Sequence, residues 1–137
     1  MQSFFHLAYH VNDLSAAKAF YGNILGCKEG RSTDTWVDFN FFNHQISLHL
    51  GKPFSTTLTG LVDEHQVPMP HIGLILELNE WQKIAKRLCL ANIDFIIPPS
   101  VRFKGQPGEQ HTMFFSDPAG NPIEFKGFKN LKQIFVK

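Results

Sequence analysis

The sequence predicts an α+β fold: two βαβββ modules forming a curved mixed sheet, a partly open barrel with its helices outside. Three observations predict it. A strand-like run followed by an amphipathic helix occurs twice, once in each half of the 137 residues. Three further strand-like runs follow each helix. One such half cannot cover both faces of its sheet, whereas two halves can.

In the first half, FHLAYHV (Phe5–Val11) reads as a strand, and Asn12-Asp13 supplies a helix N-cap. Ala17, Phe20, Tyr21, Ile24 and Leu25 then fall on one helical face, and Gly26 offers a stop. Strand-like runs follow at Cys27–Arg31, Thr35–Phe39 and Ile46–Leu50. In the second half HIGLILEL (His71–Leu78) is the strand and Asn79 the expected cap. Trp81, Ile84, Ala85 and Leu88 form the helical face, and strands are expected at Asp94–Ile97, Thr112–Phe115 and Ile123–Phe125. His6 and Ala17 thus stand where His71 and Trp81 stand, to within a residue. The stretches Lys52–Gly60, Val67–Pro70, Ile97–Ser100, Lys104–Glu109 and Asp117–Pro122 are rich in breakers and read as loops. The expectation is one domain over 1–137, with module one at about 4–62 and module two at about 69–128.

Composition narrows the function. Lys plus Arg number 13 against 12 Asp plus Glu, a formal charge of +1, which argues against a basic nucleic-acid face or a polybasic membrane surface. No apolar run approaches the ~20 residues of a membrane span, and MQSFFHLAYHVND lacks the pattern of a signal peptide. Cys27 and Cys89 fit no metal-knuckle or redox spacing, so the expected compartment is the reducing cytoplasm. Fourteen Phe and seven His suit either a ring-lined cavity with polar groups or an ordinary core with surface histidines.

His6 and His71 occupy matching places near the start of each module's first strand, and Glu124 lies in the last strand, NPIEF. Two imidazoles and one carboxylate on sheet strands are the donor set of a facial triad, which leaves open positions on one side of a divalent metal. A single strand histidine is more often a hydrogen-bonded residue, and Glu124 between Ile123 and Phe125 could face solvent. The matched positions are what join the three. Strand parity places Ser47 and His49 on one face, with Ser47 at the position equivalent to Glu124. His49 is then a fourth ligand, an acid–base residue beside the metal, or a polar edge residue. His10 shares the His6 face two pleats away. Arg102 and Lys104 flank a Gly-Pro loop as cations for an anionic substrate or as solvated charges, His111 is equally open, and His44 and His65 read as surface.

The motifs FHLAYHVNDLSAAKAFYGNILG (Phe5–Gly26), PHIGLIL (Pro70–Leu76) and FFSDPAGNPIEF (Phe114–Phe125) resemble the vicinal-oxygen-chelate superfamily of glyoxalases, bleomycin-resistance proteins and extradiol dioxygenases. GRSTDTWVDFNFFNHQISLHL and VRFKGQPGEQHTMFFSDPAGNPIEFKGF are most similar to its extradiol-type dioxygenase subfamily. The resemblance implies paired βαβββ modules, a homodimer, a small-molecule substrate and a divalent cation held by His6, His71 and Glu124. Iron(II) leads, with manganese, nickel and zinc as alternatives. Glyoxalase I members carry a glutamate where this chain has Ser47 and His49, which favours an acid–base His49 and dioxygenation of a catechol-like substrate. The tyrosine that two-domain extradiol enzymes carry shortly before the terminal glutamate is missing from HTMFFSDPAGNPIE. A glyoxalase- or epimerase-like isomerase or lyase, and a metal-free binding protein of the bleomycin-resistance kind, are the alternatives.

Overall fold

A computed structural model describes residues 1–137. The chain divides into two compact units, Met1–Ser55 with Asp117–Asn121, and Thr56–Ser116 with Pro122–Lys137. Each holds an open four-stranded mixed sheet, and neither sheet closes into a barrel.

The first unit contains β1 (His6–Val11), α1 (Leu14–Lys18), β2 (Lys28–Ser32), β3 (Trp36–Phe41) and β4 (His44–Leu50), with sheet order β1-β4-β3-β2. Asp13 caps α1 as expected, its Oδ1 accepting from the Ala16 amide at 2.9 Å. The helix then widens into a π turn, Ala19–Ile24, in which the Leu25 amide reaches back to the Phe20 carbonyl. The extra residue in that turn shifts the face after it. Phe20, Tyr21 and Leu25 are buried, with the Tyr21 ring 5.8 Å from that of the buried Phe39, while Ile24, expected on the same face, is only half-buried. Gly26, at φ 76°, ends the helix in a conformation that a Cβ disfavours. Phe42 and Asn43, both at positive φ, make the tight turn between β3 and β4.

The second unit contains β5 (Thr57–Val62), β6 (His65–Met69), β7 (Ile72–Glu77), α2 (Leu78–Leu90), β8 (Phe95–Arg102), β9 (Gln110–Ser116) and β10 (Pro122–Phe128). Its main sheet has the order β7-β10-β9-β8, the same permutation as the first. Parallel pairing sets Ala8 against Ser47 in β1 and β4, and Gly73 against Glu124 in β7 and β10. Ser47 and Glu124 therefore hold equivalent positions, as the sequence spacing indicated. Trp81, Ile84, Ala85 and Leu88 of α2 are buried, and the Trp81 indole donates to the Phe125 carbonyl at 2.8 Å. The cap of α2 is Glu77 rather than Asn79, because β7 stays paired through Glu77 and passes straight into the helix.

Three stretches read as loops, Lys52–Gly60, Val67–Pro70 and Ile97–Ser100, fall wholly or partly in strands. β5 and β6 form a separate hairpin whose Val62 and Val67 pack on Ile97 and Phe114. β8 runs on through Pro98 and Pro99 to Arg102. It tolerates them because it is an edge strand whose register slips between Ile97 and Ser100. No helix is long and apolar enough to cross a membrane.

Candidate functional site

Alternation along β10 sends Ile123, Phe125 and Gly127 to the buried side beneath α2 and leaves Glu124 and Lys126 on the other. The second face, together with the β5–β6 hairpin, bounds a cavity of about 520 Å³. His71 enters it from the residue before β7, and Arg102, Thr112 and Phe114 contribute from β8 and β9.

Gly73 makes the central contact possible. A Cβ there would collide with the Glu124 backbone carbonyl, so only glycine lets β7 lie close enough to bring His71 beside Glu124. His71 Nε2 is 3.3 Å from Glu124 Oε2. The Thr112 hydroxyl donates to Glu124 Oε1 at 3.1 Å, and the Phe114 ring meets the imidazole edge-on at 4.8 Å between centroids. His71 Nδ1 lies 2.9 Å from the Pro68 carbonyl oxygen. A carbonyl can only accept, so Nδ1 carries a proton, and Nε2 is the ring nitrogen that faces the carboxylate. The gap between that nitrogen and the carboxylate oxygen holds either a proton or a cation. The spacing suits a shared cation, because ligand atoms about 2.0–2.2 Å from one ion stand roughly 3 Å apart.

His6, the first residue of β1, lies in the other unit. It is exposed, with Nδ1 2.8 Å from the Gln45 side-chain oxygen, and Gln45 Nε2 in turn donates to Asp38 at 3.3 Å. Its Nε2 is thereby left as a free lone pair, the same preparation seen in His71. Metal-binding histidines are oriented by such a bond from the distal ring nitrogen. The structure brings His71 and Glu124 together but gathers no cluster of three or more His, Cys, Asp or Glu side chains.

His49 is exposed on β4, stacked on Trp36 at 6.1 Å between centroids, and lines a cavity of about 310 Å³ with Ala8, Tyr9, His10, Lys52 and Phe54. It is not among the residues lining the His71–Glu124 cavity. Ser47 is buried and donates to Asp38, and His10 Nδ1 is bound to the Lys52 carbonyl. His44 accepts from the Phe5 amide, while His111 packs on Trp81. Of the loop cations, Arg102 lines the cavity and Lys104 does not. His65, expected as a surface residue, is exposed at the start of β6 and also lines the cavity.

Sequence reasoning missed Thr112, Asp63 and Lys126. The Lys126 ammonium stands 4.0 Å from Glu124 Oε1. Its signal was present, since it follows Glu124 by two residues in one strand and must share its face.

Residues 3–125 match the family described as the Glyoxalase/Bleomycin resistance protein/Dioxygenase superfamily. Among solved structures, the chain is similar to a glyoxalase/bleomycin resistance protein/dioxygenase from Alicyclobacillus acidocaldarius. That pair shares 28% identity at TM-score 0.78, covering 98% of this chain and 97% of the other. The fosfomycin resistance protein FosX from Listeria monocytogenes shares the fold at 18% identity and TM-score 0.68, over 97% and 98% of the two chains. A lactoylglutathione lyase from Agrobacterium tumefaciens does so at 18% identity and TM-score 0.64, over 94% and 96%. No curated protein matches the chain. The repeated strand order, the matched histidines and a family match spanning both units lead to one assignment: the chain belongs to the Glyoxalase/Bleomycin resistance protein/Dioxygenase superfamily.

Proposed function

We propose that the protein is a metal-dependent enzyme acting on a small oxygenated substrate, with His6, His71 and Glu124 as ligands of one divalent cation. Iron(II) is the leading metal, with manganese, nickel or zinc as alternatives. One observation carries the reading: His71 Nε2 faces Glu124 Oε2 at 3.3 Å while Nδ1 is committed to the Pro68 carbonyl. The same Nδ1 commitment in His6, to Gln45, supports its inclusion. When bound, the cation supplies positive charge and open positions for two adjacent substrate oxygens. The chain's own residues do the rest. Pro68 fixes the His71 tautomer, Thr112 holds the carboxylate, and Phe114 closes the apolar side of the pocket.

Within this class, the proposed reaction is extradiol-type dioxygenation of a catechol-like ring, with His49 as the acid–base residue. The support for His49 is its place on the sheet that also carries His6: it is exposed on β4, which pairs with β1, and lines a cavity with Ala8 and His10 of that strand. An isomerase or lyase is the second reading, favoured by Lys126, a titratable group in the cavity beside Glu124. The protein is proposed to be a single domain working as a homodimer in the cytoplasm, where its two free cysteines stay reduced.

Metal analysis of protein purified without oxygen, followed by a catechol panel with oxygen uptake recorded, tests the reading. One equivalent of divalent metal is expected. Glu124→Gln and His71→Ala should each lower metal affinity by more than the ~10–100-fold typical of losing an orienting partner. His49→Ala should keep its metal and lose turnover. Wild-type protein that binds no divalent ion would select the metal-free binding protein. Sedimentation showing only monomer at micromolar concentration would remove the dimer.

A further inference from the structure

The His71–Glu124 cavity has two kinds of wall. Val62, Val67, Ile97 and Phe114 make one side apolar. The other carries Arg102 and Lys126, whose side chains are only 22% and 34% exposed, so solvent screens them less than surface charges.

Arg102 is committed in a particular way. Its Nε donates to Asp63 Oδ2 at 2.7 Å, and its guanidinium carbon lies 4.9 Å from the centroid of the Phe103 ring. The Nη groups hold no protein acceptor. A guanidinium has five N–H donors in a fixed fork, so an ion pair through Nε alone leaves the end of the fork free. Asp63 sits in the turn between β5 and β6 with its side chain 57% exposed, and it gives up little by releasing Arg102 to an incoming anion. Lys126 is paired in register with Thr112, so its ammonium projects from the sheet row beside the one that carries Glu124. At 4.0 Å its contact with Glu124 is a loose ion pair rather than a hydrogen bond.

We infer that the ligand of this cavity is an oxyanion on a small apolar body, a carboxylate or phosphate-type group held by Arg102 and Lys126, with Asp63 occupying Arg102 until that anion arrives. The inference rests on the cavity being the reacting site proposed above. It names the charge and shape of the substrate rather than its reaction. The apolar wall receives the body, the two cations take the head, and the His71–Glu124 pair lies beside it.

The test uses inorganic phosphate and acetate as probes on the metal-free 137-residue chain at low salt, followed by backbone and arginine side-chain NMR. Both probes should shift signals of Arg102, Lys126 and Thr112, and the stronger probe identifies the head group. Arg102→Met and Lys126→Met should each weaken binding about tenfold or more, the scale of one charge-assisted hydrogen bond. Lys126→Arg should restore it. Asp63→Asn should strengthen binding, because it removes the competing carboxylate, whereas a merely structural ion pair predicts no gain. Equal binding by wild type and both methionine variants, weaker binding in Asp63→Asn, or wild-type shifts confined to other surfaces would each overturn the inference. Should Arg102→Met fail to fold, the Lys126 and Asp63 variants decide. A separate manganese titration of the wild type reports on the metal site, so loss of one reading leaves the other measurable.

Discussion

Tyr9 and Tyr21, the chain's two tyrosines, share one buried hydrogen-bonded line in the first unit. Tyr21 donates to Asp117 at 2.8 Å, which obliges Tyr9 to donate to Tyr21 across 2.6 Å. Burial pushes both phenols well above their ordinary value, and the neighbouring Asp117 charge adds to the rise. In the unfolded chain they ionise near pH 10. The folded state therefore keeps protons that the unfolded state releases. The stability from this pair is complete below about pH 10 and is lost as pH climbs towards the raised folded values. Absorbance at 295 nm should show no tyrosinate until the fold itself gives way, when both phenols should appear together with loss of circular dichroism. A gradual tyrosinate signal in folded protein near pH 10 would contradict the buried line. Nothing in the sequence foretold it: Tyr21 was legible as a core residue, but Asp117 lies far along the chain in a turn. His71 and Glu124 were legible because the repeat marked them, whereas Thr112 and Asp63 earn their places through cross-strand contacts that spacing does not encode.

At the scale of elements, two glycines set how closely layers approach. Gly73 allows β7 to lie against Glu124 of β10, and at Gly127 a Cβ would stand 2.7 Å from the Trp81 ring of α2. Neither has positive φ, so the requirement is space rather than backbone conformation. Gly73→Ala must push β7 from β10 at the point where His71 and Glu124 meet. It should cost about 1–3 kcal/mol in urea unfolding, the range for overpacking, and, on the proposed function, should weaken binding of the proposed cation in the same protein. Gly127→Ala should cost a similar amount while sparing the proposed metal site. The elements were mostly readable, since alternation and helical faces located eight of the ten strands and both helices. The β5–β6 hairpin escaped because Gly60 and Pro68 imitate a loop, and its support comes from Ile97 and Phe114 beneath it. The π turn escaped because its widened spacing still fits a helical pattern.

Over the whole chain, the two units share one strand permutation and equivalent register, yet their chemistry has diverged. Glu124 faces a cavity in one, while its counterpart Ser47 is buried against Asp38 in the other. The first unit is also discontinuous, for it takes Asp117–Asn121 from between β9 and β10. Asp117 is the hub of that piece. It accepts from Tyr21, from the amides of Ala119 and Asn121, and from the Asn121 side chain, which in turn donates to the His10 carbonyl. Asp117→Ala should therefore cost about 3 kcal/mol or more, since it strands a buried phenol and an amide together. Equilibrium denaturation would show this as a lowered midpoint.

That borrowed pentapeptide makes the molecule a natural candidate for splitting. Cutting the backbone between Gly51 and Thr56 removes a peptide bond but not the fastening, because the piece that docks on Tyr21 and His10 travels with the carboxy-terminal half. The two halves should co-elute as one species under native conditions and separate only in denaturant. Each fragment alone would be an incomplete partner, so reassembly of the pair could serve as a two-part reporter whose signal depends on a single turn.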